Sequence, residues 1–369
     1  MNYFRRKTIP VQAGSLTIGG DAPISLQSMT NIPVHQVKET IEQIIRLQQE
    51  GAQLIRLALR TEEDAQYIKE IKKEVTIPLC ADIHFNYKIA LKAIEYGIDK
   101  LRINPGNIGA KEKVVTLVKA ASEKNIPIRI GVNSGSVDKK KYGEVNPQTL
   151  VASAMEHVHI LEDCGFTSIV VSIKSSDLLQ TIEANRIFAS QRQYPIHIGL
   201  TEAGYGTDCI IASSMVIGTL LYEGIGDTIR VSMTGDPAIE VRAAKRILEI
   251  GGFCFRPYTI IACPTCGRTD TGLDILKLTQ EVELMIQETF VQTLEKKQRH
   301  ITVAVMGCEV NGPGEASHAD VGIAGAREGK VVLFARGKKK QILFAKEAIQ
   351  AMKKEIEMIL DSECEDYNK

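Results

Sequence analysis

From Ile24 to about Ile250 the chain alternates short apolar runs with longer amphipathic ones, at a repeat of roughly 25 to 35 residues. That rhythm is strand-helix alternation. Strand-like runs stand at Ile24–Ser28, Leu54–Leu57, Leu79–Asp82, Lys100–Ile103, Pro127–Gly131, Ser168–Ser172, Ile196–Leu200 and Thr228–Val231. Eight such runs predict an α/β fold closed as a (β/α)8 TIM barrel, whose usual size is ~250 residues. The rival, an open doubly wound sheet, normally carries a glycine-rich fingerprint after its first strand. The MTNIPVH that follows Ile24–Ser28 has none. Between the runs, Ile41, Ile44, Ile45 and Leu47 share one helical face, as do Ala152, Met155, Val158 and Leu161. Helices packed on a barrel account for both.

At 369 residues the chain exceeds a single core of roughly 250 to 300 residues. After Gly251–Gly252 the pattern changes: an apolar run ending in CPTC, a long helix around Leu276 to Leu294, a strand Ile301 to Met306, then GCEVNGPGE. A strand around Val331–Phe334 and an amphipathic helix from Lys340 to Leu360 are expected to close this second part. The expected division is a barrel domain at 1–252 that binds substrate, followed by a smaller α/β domain at 253–369.

Lysine plus arginine and aspartate plus glutamate stand at 45 each, so no global field attracts nucleic acid or an anionic membrane. Any anion must be bound by a local cluster. The N-terminal MNYFRRKTIP leads into polar, glycine-rich sequence, and the longest apolar stretch, Ile210 to Leu221, is short of the ~18 residues a span needs. A soluble cytoplasmic protein is expected, where thiols stay reduced.

Eight cysteines are then a question of metal or redox chemistry. Cys80, Cys164, Cys209 and Cys254 lie in apolar or helical surroundings and read as small buried hydrophobes. Cys364 lies in an acidic tail. Cys263 and Cys266 have the two-residue spacing that lets two thiolates reach one metal centre, and Cys308 follows an apolar strand and precedes Asn311-Gly312-Pro313-Gly314, whose glycines let backbone crowd an inorganic group. Three thiolates without an obvious fourth ligand suggest an iron-sulfur cluster with one iron left for chemistry. A zinc site completed by His318 is the competing reading, and Glu315 is the other candidate for the fourth position, as a carboxylate that a substrate oxygen could displace.

In a (β/α)8 barrel the active site lies at the C-terminal ends of the strands. Arg56, Arg102, Arg129, Lys174 and Arg230 are read at the ends of five of them. Like charges crowded into one mouth repel unless an anion neutralises them, and a phosphate or diphosphate suits arginine forks. Asp82 and His84 follow the third strand and Glu202 the seventh, placed to orient hydroxyls or transfer a proton. A P-loop look-alike in GAREGK fails on glycine spacing and on Val331, where Ser or Thr is required.

These residues carry a resemblance. GGDAPISLQSMTN at Gly19 to Asn31, ADIHFNYKIAL at Ala81 to Leu91, LRINPGNIG at Leu101 to Gly109, TEAG at Thr201 to Gly204, GDTIRVSMTGDP at Gly226 to Pro237, CPTCGR at Cys263 to Arg268 and MGCEVNGPGEA at Met306 to Ala316 closely resemble the bacterial 4-hydroxy-3-methylbut-2-enyl diphosphate synthases. These are iron-sulfur enzymes of non-mevalonate isoprenoid synthesis. The resemblance covers nearly the whole chain and matches the short bacterial form. It implies a 4Fe-4S cluster on Cys263, Cys266, Cys308 and Glu315. It also implies that 2-C-methyl-D-erythritol 2,4-cyclodiphosphate is reductively opened and dehydrated with two electrons from flavodoxin or ferredoxin. By matching motif positions it places Arg56, Arg102, Arg129, Lys174, Arg230 and Ser232 on the diphosphate, with Asp82, His84, Asn104, Asn133 and Glu202 lining the pocket. Glu202 and Glu315 are the implied catalytic carboxylates. A homodimer in which the cluster domain of one subunit caps the barrel of the other is implied as well.

Overall fold

The computed structural model describes residues 4–83, 86–103 and 111–362. Two short strands, β1 (Val11–Ala13) and β2 (Leu16–Ile18), form a hairpin turned by Gly14 in the left-handed conformation. Eight strands follow: β3 (Ser25–Met29), β4 (Leu54–Ala58), β5 (Leu79–Asp82), β6 (Lys100–Ile103), β7 (Ile128–Asn133), β8 (Ile169–Lys174), β9 (His197–Ile198) and β10 (Thr228–Ile229). Helices α1 (Val37–Gln49), α2 (Tyr67–Glu74), α3 (Tyr87–Glu95), α4 (Lys111–Glu123), α5 (Pro147–Glu162), α6 (Leu178–Gln191), α7 (Gly206–Tyr222) and α8 (Pro237–Ile250) follow the strands in turn.

Every strand pairing is parallel, in the order β8-β7-β6-β5-β4-β3-β10-β9. A bridge between Val171 and Ile196, in which Val171 N donates to Pro195 O at 2.9 Å, joins β8 to the β9 side and closes the ring. The barrel expected from the alternation is the fold, and all eight strand-like runs are strands, two with the expected bounds and six with ends shifted by one or two residues.

Local chemistry explains the helix starts. Asn146 caps α5 in a reciprocal box with Thr149, with Pro147 at its first position, and Asp177 and Asp236 cap α6 and α8. The strands are buried on both faces, as parallel strands under helices must be. Outward residues such as Ile55, Leu57, Ile130 and Ile173 pack against the helices. Inward positions are largely polar. The β1–β2 hairpin, absent from the sequence reading, packs Val11, Ala13 and Ile18 on Leu54, Cys80 and Val170 and so plugs the N-terminal end of the barrel. The C-terminal ends of the strands lie at the opposite end.

Contacts divide the chain into Met1–Cys254 and Phe255–Lys369. The second unit has a five-stranded sheet ordered β11 (Tyr258–Ala262), β12 (Ile301–Met306), β13 (Val321–Gly325), β14 (Lys330–Ala335) and β15 (Lys338–Phe344), parallel through β13 and antiparallel thereafter. Helices α9 (Ile275–Thr289), α10 (Val291–Lys297) and α12 (Ala345–Asp361) cover one face through Leu278, Val282, Ile286, Met352 and Ile356, and α11 (Gly312–His318) covers the other through Ala316. Two expectations are corrected here. The long helix breaks at Phe290, and residues 340–344 extend a strand instead of opening the last helix, which begins only at Ala345. KKKQILF is exposed along almost its whole length and so offers no helical face to bury, whereas edge pairing with β14 satisfies its backbone.

Candidate active site and metal centre

Arg56, Asp82, Arg102, Arg129, Asn133, Ser172, Lys174, Leu200, Thr201, Arg230 and Ser232 line one cavity of about 160 Å³ in the barrel. The strand register explains this convergence. Arg102 lies level with Asp82 on β5 and Arg129 on β7, and Lys174 lies level with Asn133. Asp82 joins two cations: its carboxylate is 3.0 Å from Arg102 Nη1 and 3.6 Å from Arg56 Nε. Arg129 does not end its strand as expected. It is the second residue of β7, and Nη1 donates to Gln27 Oε1 at 3.2 Å on β3, the strand across the barrel.

Glu240, in the first turn of α8, receives Arg230 Nε at 3.3 Å and Nη2 at 3.1 Å. The sulfur of Met29 lies 2.7 Å from Arg56 Nη2 and 3.8 Å from Arg230 Nη1, a soft acceptor between two guanidiniums. Gly131 and Gly199 leave room for this crowd. A Cβ on Gly131 would fall 2.6 Å from Arg102 Nε, and one on Gly199, at φ +150°, 2.2 Å from the Arg230 carbonyl oxygen.

Four guanidiniums and Lys174 therefore face the carboxylates Asp82 and Glu240. Burial holds the Lys174 ammonium well below its ordinary pKa, with Arg129, Arg230, Arg56 and Arg102 adding repulsion. Burial, then Arg56, pulls Arg129 down to about 9, which leaves it charged at neutral pH. Such a site gains from an anion with several oxygens.

Of the other expected residues, Glu202 keeps its place at the exit of β9, exposed and in the left-handed conformation at φ 55°, outside the set lining the cavity. For a non-glycine residue that backbone costs about 1–3 kcal/mol. His84 and Asn104 lie outside the described residues. Gln27, Met29 and Glu240 were missed. Their one sequence signal is position: two on alternate residues of the first strand, one at a helix start following a strand end.

In the second unit, Cys263 follows β11 directly and Cys308 lies two residues past β12, its parallel neighbour. Gly307 N donates to Cys263 Sγ at 3.3 Å, Thr269 N to Cys266 O at 3.0 Å and Asp270 N to Gly307 O at 3.1 Å, which binds the CPTC loop to the GCEVN loop. Thr265 between the first two cysteines is left-handed at φ 52°. Gly325 at the end of β13 is required here, because a Cβ would meet Gly307 O at 2.4 Å and Cys308 N at 3.0 Å.

Backbone N–H groups of Asn311 and Val310, aimed at Cys308, lower its thiol pKa, and the N–H and guanidinium of Arg268 lower that of Cys266. Both favour thiolate. Glu315 is exposed in the first turn of α11 and His318 is exposed at its end. Among the described residues no three His, Cys, Asp or Glu side chains gather closely enough to hold a single metal ion. The thiols of a cubane bind different irons and stand farther apart, so three strand-end cysteines with N–H donors fit that group. Of the remaining cysteines, Cys80 and Cys209 are buried as expected, Cys164 is half-buried and Cys254 is exposed, contrary to expectation, because it lies at the junction beyond α8.

A family model described as the GcpE TIM-barrel domain matches residues 8–245, and one described as the GcpE protein C-terminal domain matches 259–358. Among curated relatives, a 4-hydroxy-3-methylbut-2-en-1-yl diphosphate synthase (flavodoxin) of Caldanaerobacter subterraneus subsp. tengcongensis is 49% identical over 98% of this chain and 100% of its own. Proteins of the same name from Geobacillus kaustophilus, 47% identical over 97% and 93%, and Clostridium perfringens, 49% over 90% and 93%, are similar. Among solved structures, the dihydropteroate synthase of Yersinia pestis covers 66% of this chain and 99% of its own at a TM-score of 0.49 and 10% identity, a likeness too slight to bear on function. With both domains matched and near half of its residues shared with full-length relatives, the chain belongs to the GcpE family.

Proposed function

We propose that this chain is an iron-sulfur oxidoreductase of isoprenoid precursor synthesis. It reductively opens and dehydrates 2-C-methyl-D-erythritol 2,4-cyclodiphosphate to 4-hydroxy-3-methylbut-2-enyl diphosphate, the reaction that its relatives' shared name implies. The observation that carries this reading is the convergence of Arg56, Arg102, Arg129, Lys174 and Arg230 on one cavity. At about 160 Å³ the cavity is smaller than whole-ligand pockets of roughly 300–1,000 Å³ and suits the anionic end of the substrate.

In this mechanism the barrel cations hold the diphosphate, while Asp82 keeps the Arg56 and Arg102 forks aimed. Ser232 and Asn133 donate to phosphate oxygens. Cys263, Cys266 and Cys308 would hold a 4Fe-4S cluster, with Glu315 as a displaceable fourth ligand. When bound, that group would supply electrons one at a time and Lewis acidity beside the substrate. As the ring C–O bond opens, the diphosphate oxygen leaves as an anion that the guanidiniums stabilise. The hydroxyl departs as water with a proton from the Glu202 carboxyl. The same reading assigns His84 and Asn104 to substrate binding.

The flavodoxin in the relatives' names supports flavodoxin as donor, with ferredoxin the alternative. No helix among the described residues is long and apolar enough to cross a membrane, and a cytoplasmic location is part of the same reading. We take the assembly to be a homodimer that completes each active site with the partner's cluster domain. Domains at 1–252 and 253–369 are part of the same reading.

Anaerobic turnover of the cyclic diphosphate with a chemical reductant, with iron and sulfide counted on the same sample, tests it. Product formed with about four irons and four sulfides per chain is expected. A colourless, zinc-loaded protein, or an iron-loaded one that leaves the substrate intact, overturns it.

A further inference from the structure

Glu240 is 4% exposed, and nothing in the proposed reaction uses it. Its two oxygens make four hydrogen bonds, all to the β10 exit. Oε2 accepts from Arg230 Nε at 3.3 Å and Nη2 at 3.1 Å, while Oε1 accepts from Nη2 at 3.4 Å and from Met233 N at 2.8 Å. The carboxylate therefore grips one edge of the Arg230 fork and the backbone of the turn that carries Ser232. Both Arg230 and Ser232 line the cavity.

Three features make this grip consequential. Arg230 is a long side chain with many rotamers, and Arg56 and Arg230 repel each other in a buried setting, so an unheld fork would turn away. The first turn of α8, capped by Asp236, presents its N-terminal dipole to the carboxylate. Occupying Nε and one side of Nη2 leaves Nη1, beside Met29, and the other Nη2 proton for an incoming oxygen.

We infer that Glu240 is a positioning residue for the diphosphate: it touches no substrate but sets the direction of the Arg230 fork and the Ser232 turn. The inference rests on the reading of the cavity as the anion site. It opposes simple electrostatics. Removing a negative charge from a mouth that binds anions should tighten binding, whereas removing a positioning group should loosen it.

Glu240→Gln keeps the shape but turns an amide donor toward the Arg230 donors. Glu240→Asp keeps the charge but withdraws it by one methylene. The test is calorimetric binding of inorganic diphosphate and of the cyclic diphosphate to the anaerobically reconstituted enzyme, together with steady-state kinetics. Both variants should bind either ligand on the order of 10-fold more weakly and lower kcat/KM by at least a similar factor. In an Arg230→Ala background the Glu240→Gln effect should vanish, since the carboxylate acts through that fork. The cluster absorption spectrum should not change.

Unchanged or tighter binding in Glu240→Gln overturns the inference, as does an undiminished loss in the Arg230→Ala background. Should Glu240→Gln fail to fold, Glu240→Asp decides by the same criteria. A wild-type protein that binds neither diphosphate sinks the anion-site reading itself, an outcome distinct from wild-type binding with indifferent variants.

Discussion

Lys100 is wholly buried in the barrel, level with Cys80 on β5, and its ammonium nitrogen has no hydrogen-bond partner among the described residues. Burial, with Arg129 adding to it and Cys80 opposing, pulls its pKa down to about 7. An unfolded lysine keeps its proton up to about 10.5. Between those values the unfolded chain binds the extra proton, so stability rises with pH across the window and is lost as pH falls toward 7. Lys100→Met should therefore stabilise the fold at pH 7 by on the order of a few kcal/mol. That gain should fade by about pH 10.5, and urea unfolding at several pH values measures it. A gain that does not vary with pH would mean that packing, and not titration, is responsible. The five mouth cations were legible in the sequence because four belong to apolar runs already recognisable as strands and Lys174 lies two residues past the end of one. Their partners were not. Gln27 meets Arg129 only because β3 and β7 face each other across a closed ring, and Glu240 reads as an ordinary charged helix start ten residues from Arg230.

At the scale of elements, the alternating period identified the barrel strands well because each is a short run bounded by amphipathic helix. The β1–β2 hairpin escaped notice, since three-residue strands carry too little pattern. It nevertheless plugs the barrel floor. Ile18, fully buried against this layer, should cost about 2–5 kcal/mol when cut to alanine, through lost transfer energy and the cavity left behind. Because the floor lies at the opposite end from the cavity, KM should stay as in wild type. A lower melting temperature with unchanged KM is the expected pair of readings, and a raised KM would show that the floor positions the mouth. In the second unit the last helix is expected from Lys340, yet Lys338, Lys339 and Lys340 lie in an edge strand, where such charges also belong, since they discourage pairing with a further chain.

At the scale of the whole molecule, α7 stands out because Asp208 is its sole charge. One face is buried through Cys209, Ser213, Val216, Ile217, Leu220 and Leu221, while Ile211, Met215 and Tyr222 are exposed on the other. Beside it runs a groove of about 470 Å³ lined by Ile210, Tyr222, Ile239, Ile247, Ile250 and Phe253. A helix apolar on both sides favours a partner on each, which supports the proposed homodimer. Met215→Lys should then shift the protein toward monomer in light scattering, and an unaltered mass would move the contact elsewhere. By itself the sequence determined the barrel, a second α/β unit, the three-cysteine set and the cationic inventory, because hydrophobic period and residue spacing are local properties. Only the tertiary structure decided which side chains share the mouth, that Arg129 reaches it from deep in its strand, and that Asp82, Met29 and Glu240 hold the guanidiniums in place. Those pairings depend on strand register and ring closure, which join residues up to about 200 positions apart, and no local pattern records them.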